Sequence, residues 1–272
     1  MANNSSYENE IVKRKFFAYL KDAQGFSDIS VQCIEKALWL WDEFTGNADY
    51  GSFGERQAVG FKEWLKNKKK NRSETLVSLS YCYDNLRYLR TFFSWLAEQS
   101  CYKSKISIAD IRYLNLSKKE ARMAIMPKPK KLPSLEDVKK VIETIQPKNE
   151  IDRRDRALLS LTLLTGARIS ALGSLPLESF DEKRMTIDQN PKLNVRTKFS
   201  KRIVTALMPF PYKEACDYFV DWARYLRDVK GFGSSDPLFP ATKVENGRES
   251  LGYYSNGEVE PVFWKSGSSL RK

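Results

Sequence analysis

Eight residues near the middle of the chain, Met126-Pro127-Lys128-Pro129-Lys130-Lys131-Leu132-Pro133, constrain the fold more than any other stretch. Proline offers no backbone donor, fixes φ, and pushes the residue before it out of the helical region. Three prolines and three lysines in this run exclude a helix or an inner strand and predict an extended, solvated linker. Ser134 follows at once, with Asp137 three residues later. That spacing is a capping box, in which each side chain satisfies the other residue's backbone N–H at a helix start. The chain is therefore predicted to divide into a domain at 1–125, a linker at 126–133 and a second domain at 134–272. A length of 272 residues agrees with two domains at roughly 100–200 residues each.

The first half reads as a helical bundle. Apolar residues recur at helical spacing over Ile11 to Leu20 and Val31 to Phe44, and Phe61, Trp64 and Leu65 mark another helix. The longest helix is predicted over Ser73 to Glu98, with Leu79, Cys82, Leu86, Leu89, Phe93 and Leu96 on its buried face and Asp84, Arg87, Thr91 and Ser94 opposite. A shorter helix covers Ser117 to Met126. The second half is mixed. Helices are predicted over Val138 to Ile145, Arg156 to Leu164 with Gly166 as its cap, Ile169 to Ser174, and Tyr212 to Val229. Met185 to Ile187, Asn194 to Lys198 and Arg202 to Leu207 read as strands, with Phe199 to Lys201 in the turn. Phe232 to Gly257 reads as loop. The predicted class is mainly α with a small antiparallel sheet.

Composition narrows the function classes. The net charge is +12, with 46 Lys and Arg against 34 Asp and Glu. Such a surface fits a polyanionic partner, nucleic acid first, or simply a basic protein in solution. There is no histidine, so a mixed Cys/His zinc site is excluded, and Cys33, Cys82, Cys101 and Cys216 lack metal-ligand spacing. They read as reduced thiols packed in a core. The polar start Met1-Ala-Asn-Asn-Ser-Ser6 is not a signal peptide, and no run reaches the ~20 apolar residues of a membrane span. A soluble, cytoplasmic protein without metal is expected.

Thr165-Gly166-Ala167-Arg168-Ile169-Ser170-Ala171-Leu172 places one arginine just past a helix-ending glycine and at a helix start. Arginine's planar fork can hold two oxygens of one phosphate, and free N–H groups at a helix start favour the same anion. A solvated arginine after a helix cap is the plain alternative. Further on, Val195-Arg196-Thr197-Lys198-Phe199-Ser200-Lys201-Arg202 forms a basic turn, whose residues fit phosphate contacts.

These two stations, with the elements around them, resemble the catalytic domain of the tyrosine recombinase, or phage integrase, family. The family signature Thr-Gly-x-Arg-x-x-Glu-Leu stands here with Ala171 in place of the acidic residue, which removes a carboxylate expected to orient the arginine. The resemblance implies that Arg168 holds the scissile phosphate. It also implies that Lys198, or alternatively Lys201, is the hairpin lysine that protonates the leaving 5′ oxygen. The N-terminal helices resemble the family's core-binding domain, the other jaw of a DNA clamp, and Lys128, Lys130 and Lys131 would cross the DNA backbone. Arg196, Lys201 and Arg202 are the other expected DNA contacts.

The family also needs a His-x-x-Arg motif, a further His or Trp, and a tyrosine nucleophile. Tyr253, Tyr254 and Trp264 come too early to fill these roles and read as loop or packing residues. Val262 to Lys272 reads as a helix entering the His-x-x-Arg region, cut short. The resemblance thus implies an incomplete catalytic domain. The complete protein would carry out site-specific recombination or integration through a 3′-phosphotyrosine, without cofactor, on double-stranded DNA and as a tetramer, as in mobile elements. A non-catalytic DNA-binding relative is the alternative.

Overall fold

The structure, a computed structural model, describes residues 2–127, 132–208, 212–246 and 253–265. The chain is mainly helical with a small antiparallel sheet and forms two compact units, Met1–Lys130 and Lys131–Lys272.

The first unit holds six helices among its described residues: α1 (Ala2–Asp22), α2 (Asp28–Thr45), α3 (Glu55–Lys66), α4 (Leu79–Ala97), α5 (Ile108–Ile111) and α6 (Lys118–Ile125). Serine caps start α2, α4, α5 and α6, each hydroxyl accepting a backbone N–H of the first turn. The core is aromatic. Trp41 meets Phe93 edge-on at 5.0 Å between centroids and Phe61 at 5.1 Å, and Phe53 stacks on Phe93 at 4.0 Å. Such pairs contribute ~0.5–1.5 kcal/mol each beyond the area they bury. Helix α4 starts later than the periodicity predicts. Ser78 is its N-cap, and residues before it form a short loop closed by a bridge between Lys69 and Leu76.

A polar network that the sequence reading missed crosses this core. The Lys13 ammonium donates to Asp42 Oδ2 at 2.9 Å, the Tyr50 hydroxyl donates to Asp42 Oδ1 at 2.8 Å, and Asn9 donates to the Ala48 carbonyl at 2.9 Å. All four side-chain owners, Asn9, Lys13, Asp42 and Tyr50, are buried. Burial and the neighbouring Asp42 carboxylate push the Tyr50 hydroxyl far up. Burial works against the Lys13 charge, but hydrogen bonds to Glu10 and Asp42 outweigh it and raise its pKa.

In the second unit, Ser134 and Asp137 form the expected capping box of α7 (Leu135–Thr144). Then come α8 (Glu150–Thr165), α9 (Ile169–Leu172), β1 (Phe180–Asp181), β2 (Thr186–Gln189), β3 (Ile203–Ala206) and α10 (Lys213–Arg224), which runs into a wider turn at Tyr225–Val229. The sheet order is β1-β2-β3, antiparallel, with Ile187 opposite Phe180 and Thr205. Short pairs follow: β4 (Ala241–Thr242) with β7 (Val259–Glu260), and β5 (Glu245–Asn246) with β6 (Tyr253–Tyr254). The core between α8, α10 and the sheet is built from Leu158, Leu161, Phe180, Ile187, Phe219, Trp222 and Leu238. The Glu150 carboxylate ties its edge, accepting from the Tyr225 hydroxyl at 2.8 Å, the Val259 N–H at 2.8 Å and Lys230. Although burial opposes the charge, these donors hold its pKa below the usual range.

Three expectations are corrected. Asn194 to Lys198 is not a strand; β1 takes its place in the three-stranded sheet. Asn194 sits at φ +61 after a tight turn at Pro191–Leu193, and a left-handed residue breaks the pleat. Val262 to Lys265 is not helical, and residues 266–272 lie outside the described ones. Cys82 and Cys216 are buried and burial pushes both thiols up, but Cys33 and Cys101 are exposed.

One carboxylate gives a pH test. Glu120 completes the capping box of α6 and accepts from Lys66 of α3 at 2.6 Å. Lys66, then the Ser117 hydroxyl and N–H, hold its pKa down at about 2, against an ordinary 4.5. A depressed carboxylate stabilises the fold above its unfolded pKa, and that contribution fades as pH falls through the folded value. In urea titrations Glu120→Gln is expected to lose ~0.5–1 kcal/mol at pH 6, a modest figure because the pair is partly exposed. The gap to wild type is expected to close as the pH approaches about 2.

Candidate nucleic-acid interface

The end of α8 sets up the site. Gly166 adopts φ +61, and its N–H donates to the Thr162 carbonyl at 2.9 Å. The Thr165 hydroxyl accepts the Ala167 N–H at 3.2 Å and closes the turn. A side chain at φ near +60° costs roughly 1 kcal/mol, which is the reason for glycine here. The chain then reverses, and Arg168 becomes the N-cap of α9 with extended φ and ψ. Its side chain is exposed and has no hydrogen-bond or ion-pair partner among the described residues. Helix α9 is only four residues long, shorter than the predicted Ile169 to Ser174. A single turn has little dipole, so the guanidinium itself carries what anion affinity there is. Ala171 is 1% exposed within the core of the second unit. A glutamate there, as in the resembled signature, would lie in an apolar wall.

Residues 190–202, between β2 and β3, form an irregular loop rather than a tight hairpin. Asn190 caps the first turn and accepts the Lys192 N–H at 3.0 Å. Val195 is buried in the core. A second turn covers Lys198–Ser200, with Phe199 at φ +60 and Ser200 at φ +49. Lys198 therefore opens a turn instead of ending a strand. It is exposed, lies 5.0 Å from the centroid of the exposed Phe199 ring, and has no ion-pair partner among the described residues. Lys201 is equally exposed and unpaired among them.

Arg196 and Arg202 are already engaged. Arg202 makes a bidentate pair with Asp188 of β2, Nε to Oδ1 at 3.0 Å and Nη2 to Oδ2 at 2.7 Å, which raises its pKa. The Arg196 guanidinium donates to the carbonyls of Trp264 at 2.7 Å, Lys265 at 3.1 Å and Gly173 at 3.4 Å. Its main chain is held too: the Arg196 N–H donates to Ser174 Oγ at 2.9 Å, and the Ser170 hydroxyl donates to the Arg196 carbonyl at 3.2 Å. This joint fastens α9 to the loop. Arg168 lies two residues before Ser170, and Lys198 lies two residues after Arg196, so the fold attaches both cations to one junction.

Other sequence candidates take structural roles or fall outside. Trp264 donates its indole N–H to the Phe239 carbonyl at 2.9 Å, and the buried Arg154 guanidinium lies 5.0 Å from its ring centroid. Tyr253 and Tyr254 form β6. Lys128, Lys130 and Lys131 lie outside the described residues. No group of three or more His, Cys, Asp or Glu able to hold a metal occurs among the described residues, and no helix there is long and apolar enough to cross a membrane. The engagement of Arg196 was hidden from sequence because its partners are backbone carbonyls, two of them nearly seventy residues away.

No family model matches this sequence, and no curated protein matches it. Among solved structures, the crystal structure of XerA recombinase is similar over 86% of this chain and 69% of that one, at 19% identity and a TM-score of 0.30. A likeness of that size carries no argument about this site.

Arg196 is expected to behave as a structural tie rather than a phosphate contact. Arg196→Ala should lower the unfolding midpoint by ~2–4 °C, the shift of about 1 kcal/mol in a chain this size. It should also speed tryptic cleavage at Lys265. The salt slope of DNA binding should stay within error of wild type; a slope lower by about 0.9 would make it a phosphate contact instead.

Proposed function

We propose that this chain is a double-stranded DNA-binding protein of the DNA breaking-and-rejoining class, with Arg168 and Lys198 directed at one backbone phosphate. The observation that carries the reading is the junction at Ser170 and Arg196, which presents from separate segments two exposed cations with no ion pair among the described residues. Both would gain a partner on binding. An arginine fork grips two phosphate oxygens, and a lysine adds a mobile point charge. Lys201 adds a further contact, whereas Arg202 would first have to leave Asp188.

In the recombination reaction, Arg168 would neutralise a non-bridging oxygen of the scissile phosphate and Lys198 would protonate the leaving 5′ oxygen. Lysine acid chemistry draws on desolvation, and the exposed Lys198 would obtain it only under packed DNA. The resemblance further implies a 3′-phosphotyrosine intermediate, tetrameric assembly on DNA, and a role in site-specific integration. A second reading, DNA binding without cleavage, is favoured by the buried Ala171, where the family signature has an acidic residue. Phosphoryl transfer needs charge neutralisation around the phosphorus and an activated nucleophile, which one arginine and one lysine do not provide.

Duplex binding by the 272-residue chain is expected to weaken steeply with salt, at about 0.9 in log–log slope per neutralised phosphate. Arg168→Ala and Lys198→Ala should each cost about 10- to 150-fold in affinity, typical of a charged hydrogen bond, with unchanged melting temperature. The chain should form no covalent adduct on a nicked suicide duplex. Salt-independent binding, or wild-type affinity in both variants, would refute the site; an adduct mapped to Tyr253 or Tyr254 would refute the non-cleaving expectation.

A further inference from the structure

The first unit has its own basic, aromatic concavity, which the reading of Arg168 and Lys198 does not use. It has a volume of about 690 Å³ and lies between α2, the looped segment 68–77 and the start of α4. Helix α2 has one buried apolar face and an outer face that carries Lys36, Trp39 and Glu43. Ile34, Ala37, Leu38 and Trp41 enter the core. Trp39 points the other way and is 54% exposed, the largest side chain among the exposed apolar residues. Tyr81, 41% exposed, lines the same concavity, with Val77 between loop and helix.

The rim is cationic. Lys36, Lys68, Lys69 and Lys70 line it against a single acid, Glu43. Lys68 is neutralised by Glu43 at 2.6 Å, and Lys69 is paired with Glu74. Lys36 and Lys70 have no ion pair among the described residues and are exposed. The loop that carries Lys70 is held in place by backbone bonds, Lys70 N–H to the Thr75 carbonyl at 2.9 Å and Val77 N–H to the Lys68 carbonyl at 3.0 Å. The lysines are therefore presented by a fixed loop.

We infer that this concavity is a binding site for single-stranded or unpaired nucleic acid, with a base stacked on Trp39 and the flanking phosphates at Lys36 and Lys70. Exposed aromatic area beside free cations is the combination that single-strand binders use: the ring takes a base face and the lysines track the backbone. A paired base hides both faces inside the helix stack, so duplex DNA offers Trp39 nothing to stack on. An acidic peptide would satisfy the lysines but leave the indole face in water. At about 690 Å³ the concavity falls within the roughly 300–1,000 Å³ range of small-ligand pockets.

The test is fluorescence-anisotropy titration of the full chain with a labelled oligo(dT) of twelve nucleotides and, separately, with a labelled blunt-ended duplex of two annealed strands. Trp39→Ala is expected to weaken oligo(dT) binding about 5- to 150-fold, the range for loss of one stacked base. Its salt slope and the duplex affinity should not change. Trp39→Phe should recover most of the loss, because stacking survives and the exposed position tolerates the exchange. Lys36→Gln with Lys70→Gln should lower the single-strand salt slope by about 1.4, two phosphates at about 0.7 each. Duplex and oligo(dT) affinities are read on separate probes, so failure of the duplex site and failure of this one are distinguished. Unchanged oligo(dT) affinity in Trp39→Ala, or an equal loss for the duplex, would overturn the assignment.

Discussion

Residues 190–202 have backbone groups that no sheet ladder satisfies, and the geometry of the second unit follows from how that deficit is met. Buried and half-buried N–H and C=O groups must find partners somewhere. Here Ser170 and Ser174 of the α9 region hold the main chain of Arg196, while the Arg196 guanidinium returns three hydrogen bonds to carbonyls of Gly173, Trp264 and Lys265. Side-chain chemistry thus replaces a strand. The exchange leaves the neighbouring cations Arg168 and Lys198 without ion-pair partners among the described residues, because their segments are positioned by other groups. A surface built this way separates support from contact: one arginine is used to hold the loop, and the cations beside it stay available for an anion.

The first unit solves a different problem. Its core is rich in rings, with Trp41, Phe53, Phe61, Phe92 and Phe93 in mutual contact. Rings alone pack in several ways, and an Asp42 carboxylate shared by Lys13 and Tyr50 fixes how α1, α2 and the Tyr50 turn meet. Breaking one partner of such a pair leaves a buried charge uncompensated, which costs several kcal/mol, so the network restricts the packing more than it adds net stability. With the inner face of α2 so defined, Trp39 is forced outward. Its exposure is a consequence of helix geometry, and it lines the concavity beside it.

Much of the fold was legible in the sequence because its signals are local. Apolar spacing located the long helices, the Ser134 and Asp137 pair marked the start of α7, and Gly166 marked the end of α8. What was not legible depends on distant partners or on left-handed residues other than glycine. Asn194 has positive φ, so the strand expected from Asn194 became loop, whereas the turn expected at Phe199 to Lys201 is present at Lys198–Ser200. The signal available was Asn190-Pro191 with Asn194, turn residues set close together. Asn9 and Lys13, four apart on a face that also carries Val12 and Phe16, were a readable hint of a buried polar pair. Arg168 and Lys198 were readable as cations, but the bonds of Arg196 to Ser170, Gly173 and Ser174 that tie their segments together were not.

The central claim is that Arg168 and Lys198 act on one phosphate, and a double-mutant cycle tests it most directly. Duplex affinity would be measured at one fixed salt concentration for wild type, Arg168→Ala, Lys198→Ala and the double variant. Two cations sharing one phosphate must be coupled, so the double variant is predicted to lose less than the two single losses combined, by ~0.5–3 kcal/mol of interaction. Losses that add to within ~0.3–0.5 kcal/mol would show two independent contacts and contradict the shared site.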